Sequence, residues 1–235
     1  MLFLYKVIFY QPILNTLVFF YNTVAFRDFG LAIIFTTLLV RIILYPLFDK
    51  GSHQNMMMQR LQPKIKKIQE VHKNDKEKQS RALMDLYKEH GVNPFSGILL
   101  LIVQIPILIA LYQIVQSSLG AAVLSQLYSF VATPGHINNI FLGFINLSDK
   151  NIVLVVLAAI AQYFQAKLAI YQTKGVEPSQ AQKIASQMVF IGPIVTIFIF
   201  YNFPAAVGLY WLASSAFSVF QQLIINKKLK EKYGE

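Results

Sequence analysis

Residues 38–47 read LLVRIILYPL and set a permanently charged side chain, Arg41, in the middle of an apolar run. Outward from it, residues 29–48 carry no other charge and reach the about 20 mostly apolar residues that a membrane-spanning helix needs. An arginine at the centre of such a helix costs at least ~2.5 kcal/mol on insertion scales, and residues of this kind usually face a bundle interior or a wet cavity. Two readings compete. Arg41 lies seven residues from the inner end of its run, about 10 Å at the rise of an α-helix, so a long side chain recovers part of that distance by snorkelling. Alternatively it faces a polar cavity between helices. No Asp, Glu or His lies in this or any other candidate span. The guanidinium, with five donors, must then find dipoles, water, lipid phosphate or a group arriving from outside.

Composition agrees with a membrane solvent. Of 235 residues 55% are hydrophobic, yet 21 Lys+Arg stand against 11 Asp+Glu for a net charge of +10. The charges are confined to segments between apolar blocks, which points to a basic integral membrane protein and away from a sequence-specific nucleic-acid binder. The absence of cysteine excludes disulfides, thiolate metal sites and a cysteine nucleophile. The opening MLFLYKVIFYQPILN lacks a basic n-region and an A-x-A-like site, so a cleaved secretory signal is poorly supported.

Five segments qualify as spans: 29–48, 94–117, 151–170, 183–201 and 205–225. Pro46, Pro106 and Pro193 lie inside or near the ends of spans, which membrane helices tolerate. The segment 49–92 holds ten Lys/Arg, the loop 171–182 and its flanks hold Lys167, Lys174 and Lys183, and the tail 226–235 holds Lys227, Lys228, Lys230 and Lys232. Positive charge marks the cytoplasmic side. Five spans with the N-terminus outside and the C-terminus inside satisfy that rule, leaving 118–150 as an extracytoplasmic loop.

Residues 1–26 are apolar but interrupted by Pro12, with Asn15 and Asn22, and Thr16 and Thr23, seven residues apart. That recurrence makes one polar stripe, so 13–26 reads as an amphipathic helix in the outer interface; a further span is the alternative. Within 49–92, Met57, Leu61, Ile65 and Ile68, then Leu83, Leu86 and Tyr87, recur at helical spacing around HKNDKEKQS. They predict a helical hairpin, with Pro63 kinking the first arm or marking its start. Its lysines, including Lys64, Lys66 and Lys67, form a solvated face that enforces topology and also suits anionic lipid or an RNA surface. The run Met56, Met57, Met58 fits ordinary hairpin packing or an adaptable surface for apolar clients.

Several polar groups in the spans are candidates to accompany Arg41. Thr37, Arg41 and Tyr45 are four apart and share one helical face. In the last span Trp211, Ser214, Ser215, Ser218, Gln221 and Gln222 form a polar stripe with Tyr210 beside it, the serines being equally suited to close helix packing. Gln162 and Gln165 share a face, whereas Gln104 and Gln113, nine residues apart, face opposite ways. There is no G-x-x-x-x-G-K-[ST], no metal cluster, and no Ser/His or paired-Asp arrangement in the spans, so neither cofactor nor catalysis is expected.

Six segments in order resemble the YidC membrane protein insertases of bacteria, which have relatives in mitochondria and chloroplasts: LLVRIILYPL at 38–47, LQPKIKKIQE at 61–70, LYKEHGVNPFSG at 86–97, QIPILIALY at 104–112, FLGFINLSDKN at 141–151 and FPAAVGLYWLASSAFSVFQQ at 203–222. The resemblance covers nearly the whole chain. It implies an all-α inner-membrane protein of five transmembrane helices around a hydrophilic groove, closed outside and open to cytoplasm and lipid. It places Arg41 in the groove, Thr37, Tyr210 and Trp211 along a client's path, and Gln104 in the groove wall. It implies a cytoplasmic hairpin at 52–90 and an outer amphipathic helix at 1–26. The implied partners are nascent membrane proteins, with the ribosome, a Sec translocon and anionic lipids around them; Met57, Lys64, Lys66, Lys67, Lys227 and Lys228 are the contact candidates. The rival from another class is a small-solute or anion transporter with a polar midplane site. Against it, the spans hold no carboxylates and suggest no paired repeats.

Overall fold

The computed structural model describes residues 2–117, 120–135, 137–170 and 180–233. Asp28 starts α3 (Phe29–Ile43): its backbone is extended and its carboxylate accepts from the Leu31 amide at 3.0 Å, as an N-cap does. Where one span was expected over 29–48, the helix breaks at Leu44, and α4 (Tyr45–Arg60) leaves α3 at 63°. Pro46, in the first turn of α4, explains the break, because it has no N–H for the Ile42 carbonyl and its ring would collide there. A second proline step follows, with Pro63 in the first turn of α5 (Gln62–Val71). Asp75 then caps α6 (Lys76–Glu89), accepting from the Lys78 amide at 3.0 Å.

The helices α5 and α6 pack on each other around Leu61, Ile65, Leu86 and Val92, with Met57, Met58, Ile68, Leu83 and Tyr87 against them. This small core is separate from the main one. Gln54 of α4 ties down the end of the hairpin: its side chain accepts from the Asn93 amide at 2.9 Å and donates to the Gly91 carbonyl at 3.4 Å.

At the N-terminus α1 (Leu2–Tyr5), a π-helical turn (Lys6–Tyr10) and α2 (Gln11–Thr23) run on as one helix. Pro12 accounts for the wider turn, since the Gln11 amide reaches back to the Lys6 carbonyl. The polar stripe of this helix does not simply face water. Asn15 is buried and accepts from the Tyr128 amide at 2.6 Å; Asn22 donates to the Ala132 carbonyl at 2.6 Å; the Tyr21 hydroxyl accepts from the Asn138 amide at 2.9 Å. Its polar groups serve as anchors for the 118–150 loop. That loop holds the short α8 (Ala121–Leu124) and a two-residue antiparallel pair, β1 (Ile140–Phe141) and β2 (Ile145–Asn146).

The remaining helices are α7 (Ser96–Gln116), α9 (Ile152–Ala169), α10 (Gln180–Phe200) and α11 (Ala205–Tyr233). Pro106 and Pro193 are accommodated inside α7 and α10. In place of a side-chain cap, α11 begins on the carbonyls of Asp149 and Leu147, which accept from the Ala205 and Ala206 amides at 2.7 and 3.1 Å. It then continues through the segment expected to be a separate tail. The loop expected at 171–182 lies almost wholly outside the described residues. The most extensive packing is α11 on α9, followed by α10 on α9 and α11 on α3. Leu14, Leu17, Ile33, Leu111, Ile114 and Ala206 are fully enclosed in the main core.

By length and composition, three described helices suffice to cross a membrane, Phe3–Thr23, Ile152–Ala169 and Ala205–Lys228, and a fourth if α3 and α4 count as one broken span. Ile102–Gln116 and Ser186–Phe200 are apolar but shorter. The fold is thus a mostly helical, multi-pass membrane protein.

Candidate functional site

α3, α4, α7, α9 and α11 line an open cavity of about 370 Å³, whose mostly apolar wall is set with the amides and hydroxyls of Asn55, Gln104, Gln162, Gln165, Ser214 and Ser218 among others. Arg41 projects into it from the last turn of α3 and is only 7% exposed. Ser214 of α11 accepts from Nε at 3.0 Å and also from Nη2. The Phe48 ring of α4 lies 4.5 Å from the guanidinium carbon, the geometry of a cation–π contact. Nη1 has no hydrogen-bond partner among the described residues, and neither has Nε1 of Trp211, on the same cavity. Among the described residues no carboxylate lines the cavity. The site therefore holds a buried cation and two buried donors without partners, groups that would be satisfied by an anionic or carbonyl oxygen reaching them.

The expected groove residues divide. Arg41, Gln104, Gln162, Trp211, Ser214 and Ser218 line the cavity together with Gln165, Ser215, Gln221 and Gln222. Gln162 accepts from the Thr196 hydroxyl at 2.5 Å, which orients its amide. Gln104 donates to the Tyr210 hydroxyl, and Tyr210 is itself buried in the main core, one layer behind the wall. Gln113, on the other side of α7, accepts from the Tyr5 hydroxyl at 2.9 Å. Thr37 is buried but turned to its own helix, donating to the Ile33 carbonyl at 2.7 Å. Tyr45 does not stack under Arg41, because the bend at Leu44 starts a new helix there; its ring lies 5.9 Å from the Lys228 ammonium.

Phe48, Ser52 and Asn55 were not anticipated. They recur on one face of α4 and close the cavity, Ser52 donating to Gln222 at 3.3 Å. Their position depends on the bend, which Pro46 signals without giving its direction. Of the contact candidates, Met57 packs on the hairpin core, and the Lys64 ammonium lies 2.9 Å from Nε2 of His90. Lys66, Lys67, Lys227 and Lys228 are exposed. Among the described residues no cluster of three or more His, Cys, Asp or Glu side chains converges on a metal-sized site.

The sequence model of the family described as "60Kd inner membrane protein" matches residues 19–232. A protein of Geotalea daltonii named membrane protein insertase YidC is 33% identical over 219 residues, covering 93% of this chain and 37% of the relative. One of the same name from Francisella tularensis subsp. novicida is 32% identical over 200 residues, covering 85% and 33%. The chain spans about a third of the length of these relatives. A solved structure, "Active YidC insertase crystal structure with the first transmembrane domain resolved", superposes with a TM-score of 0.62 at 26% identity, covering 94% of this chain and 46% of the other. A match running from α2 to the last turn of α11, with the same fold beneath it, leaves one assignment: the chain belongs to the 60Kd inner membrane protein family, that of the YidC proteins.

Proposed function

We propose that this protein moves hydrophobic segments of newly made proteins from the cytoplasm into the lipid bilayer, the cavity around Arg41 receiving the polar residues that travel with them. The observation that carries this reading is Arg41 itself: a buried guanidinium with an unspent donor, beside a cavity in which no carboxylate among the described residues neutralises it. A site built for a resident ion pair would supply its own anion, whereas this one suits an acidic group in transit. The names of the relatives point the same way.

In this reading α3, α7, α9, α10 and α11 each cross the inner membrane, with the N-terminus outside, the N-terminal helix in the outer interface and the C-terminus in the cytoplasm. The basic hairpin then lies on the cytoplasmic side, as the distribution of positive charge requires. Lys66 and Lys67 on the hairpin and Lys227 and Lys228 on α11 offer contacts to anionic lipid and the ribosome, and the protein works alone or beside a Sec translocon. Burial of the client's apolar segment in hydrocarbon drives insertion. The cavity lowers the barrier for the polar tail, because that tail keeps polar partners over part of the bilayer.

The test uses reconstituted proteoliposomes and clients that differ only in the charge of a short translocated tail. Arg41→Ala should slow insertion of the acidic-tailed client roughly tenfold and the neutral one much less, with Arg41→Lys between wild type and Ala. Equal insertion of both clients by all three proteins would sink the reading.

A further inference from the structure

Phe48 is the one aromatic ring set against the Arg41 guanidinium among the described residues. Its position is built by tertiary structure: Pro46 turns α4 through 63° at Leu44, and only that turn swings a residue of the next helix back over the last turn of α3. Ser214 occupies the Nε and Nη2 donors on the α11 side. The Phe48 ring lies on the α4 side, 4.5 Å from the guanidinium carbon. Nη1 is buried and has no hydrogen-bond partner among the described residues.

We propose that Phe48 is the positioning residue of Arg41: its ring, 4.5 Å from the guanidinium carbon, restrains the guanidinium beside Ser214, so that the cation is held in one orientation for a client carboxylate that enters the cavity. The inference rests on the insertion reading above and adds to it a source of selectivity. A guanidinium is a planar fork that binds carboxylate best in its own plane. A single tether on Ser214 leaves that plane free to rock, and an aromatic face against it removes this freedom. The ring also accepts part of the cation's field without supplying a formal charge, so a client carboxylate meets an undiminished cation. Because Phe48 belongs to α4, which continues towards the hairpin and is tied to its far end by Gln54, displacement of that helix would uncover Arg41.

Three variants in the full chain test this. Phe48→Leu keeps an apolar wall and removes the ring; Phe48→Trp keeps and enlarges the ring; Arg41→Ala removes the cation. Two readouts are taken: insertion of acidic- and neutral-tailed clients into proteoliposomes, and the nitrogen and proton resonances of the Arg41 guanidinium in micelles. The expected result is a roughly five- to tenfold loss for acidic clients in Phe48→Leu, near-normal insertion of neutral ones, and rescue in Phe48→Trp. The guanidinium protons should lose their upfield ring-current shift in Phe48→Leu and regain it in Phe48→Trp. Equal losses for acidic and neutral clients, or failure of Phe48→Trp to rescue, would overturn the role of the ring. An unaltered guanidinium spectrum in Phe48→Leu would overturn it whatever the transport data show. If Arg41→Ala leaves acidic clients unaffected while the spectral shift behaves as expected, the insertion reading fails and the positioning contact stands.

Discussion

At the scale of single residues, the cost of keeping Arg41 inside the fold is met by few partners, and Ser214 is the most exposed to mutation. Its hydroxyl accepts from two guanidinium nitrogens and is buried. Ser214→Ala strands both donors, and an unmet buried donor costs about 1–3 kcal/mol, more when it is charged. Thermal unfolding in micelles should therefore fall measurably for Ser214→Ala and stay near wild type for Ser218→Ala, whose hydroxyl bonds only the Ser214 carbonyl of its own helix. Equal shifts for the two would remove the special role of Ser214. That Arg41 needs polar company was legible from its setting in LLVRIILYPL; that Ser214 and not Thr37 supplies it was not. Helical spacing places Thr37 on the same face as Arg41, but a threonine in a helix satisfies itself on the carbonyl four residues back.

Among the elements, α6 carries a pH-sensitive start. The Asp75 carboxyl is held below its usual value by the Lys78 backbone amide first and by the Lys78 side chain second. Because the folded value lies below the unfolded one, the cap contributes fully above the ordinary carboxylate range and is lost as pH falls from there through the lower, folded value. Hydrogen-exchange protection of the first α6 amides should drop below about pH 4, and Asp75→Ala should show that low protection at every pH. Protection that is unchanged in acid would show that the cap does not hold this helix end. The hairpin periodicity of 52–90 was plain in the sequence because apolar residues recur at the helical period. The bend at Leu44 was not, since Pro46 marks a break but its angle depends on what α4 packs against.

For the whole molecule, two separate cores imply two cooperative units. Leu86→Ala should destabilise the hairpin by roughly 2–4 kcal/mol, raising exchange in α5 and α6 while α3, α9 and α11 keep their protection. A parallel loss in α9 and α11 would show one unit instead. The main core has its own sensitive junction: at Gly30 of α3 an added Cβ would collide with the Phe141 ring of β1. Gly30→Ala must push the 118–150 loop off the bundle, at an overpacking cost of about 1–3 kcal/mol. Faster proteolysis within that loop, with the hairpin unaffected, is the expected sign, and a wild-type digestion pattern would count against the contact.

The sequence by itself determined the solvent of this protein, its helical character, its family and the presence of an unneutralised cation in an apolar setting. The family follows from six motifs in order and the others from local composition or period, all of them properties of the chain as written. Only the tertiary structure decided that α4 folds back to set Phe48, Ser52 and Asn55 beside Arg41, that Tyr45 is turned away, and that Asn15 and Asn22 anchor a loop. Those outcomes depend on a bend angle and on which distant backbone groups need partners, and neither quantity is carried by the spacing of residues along one helix.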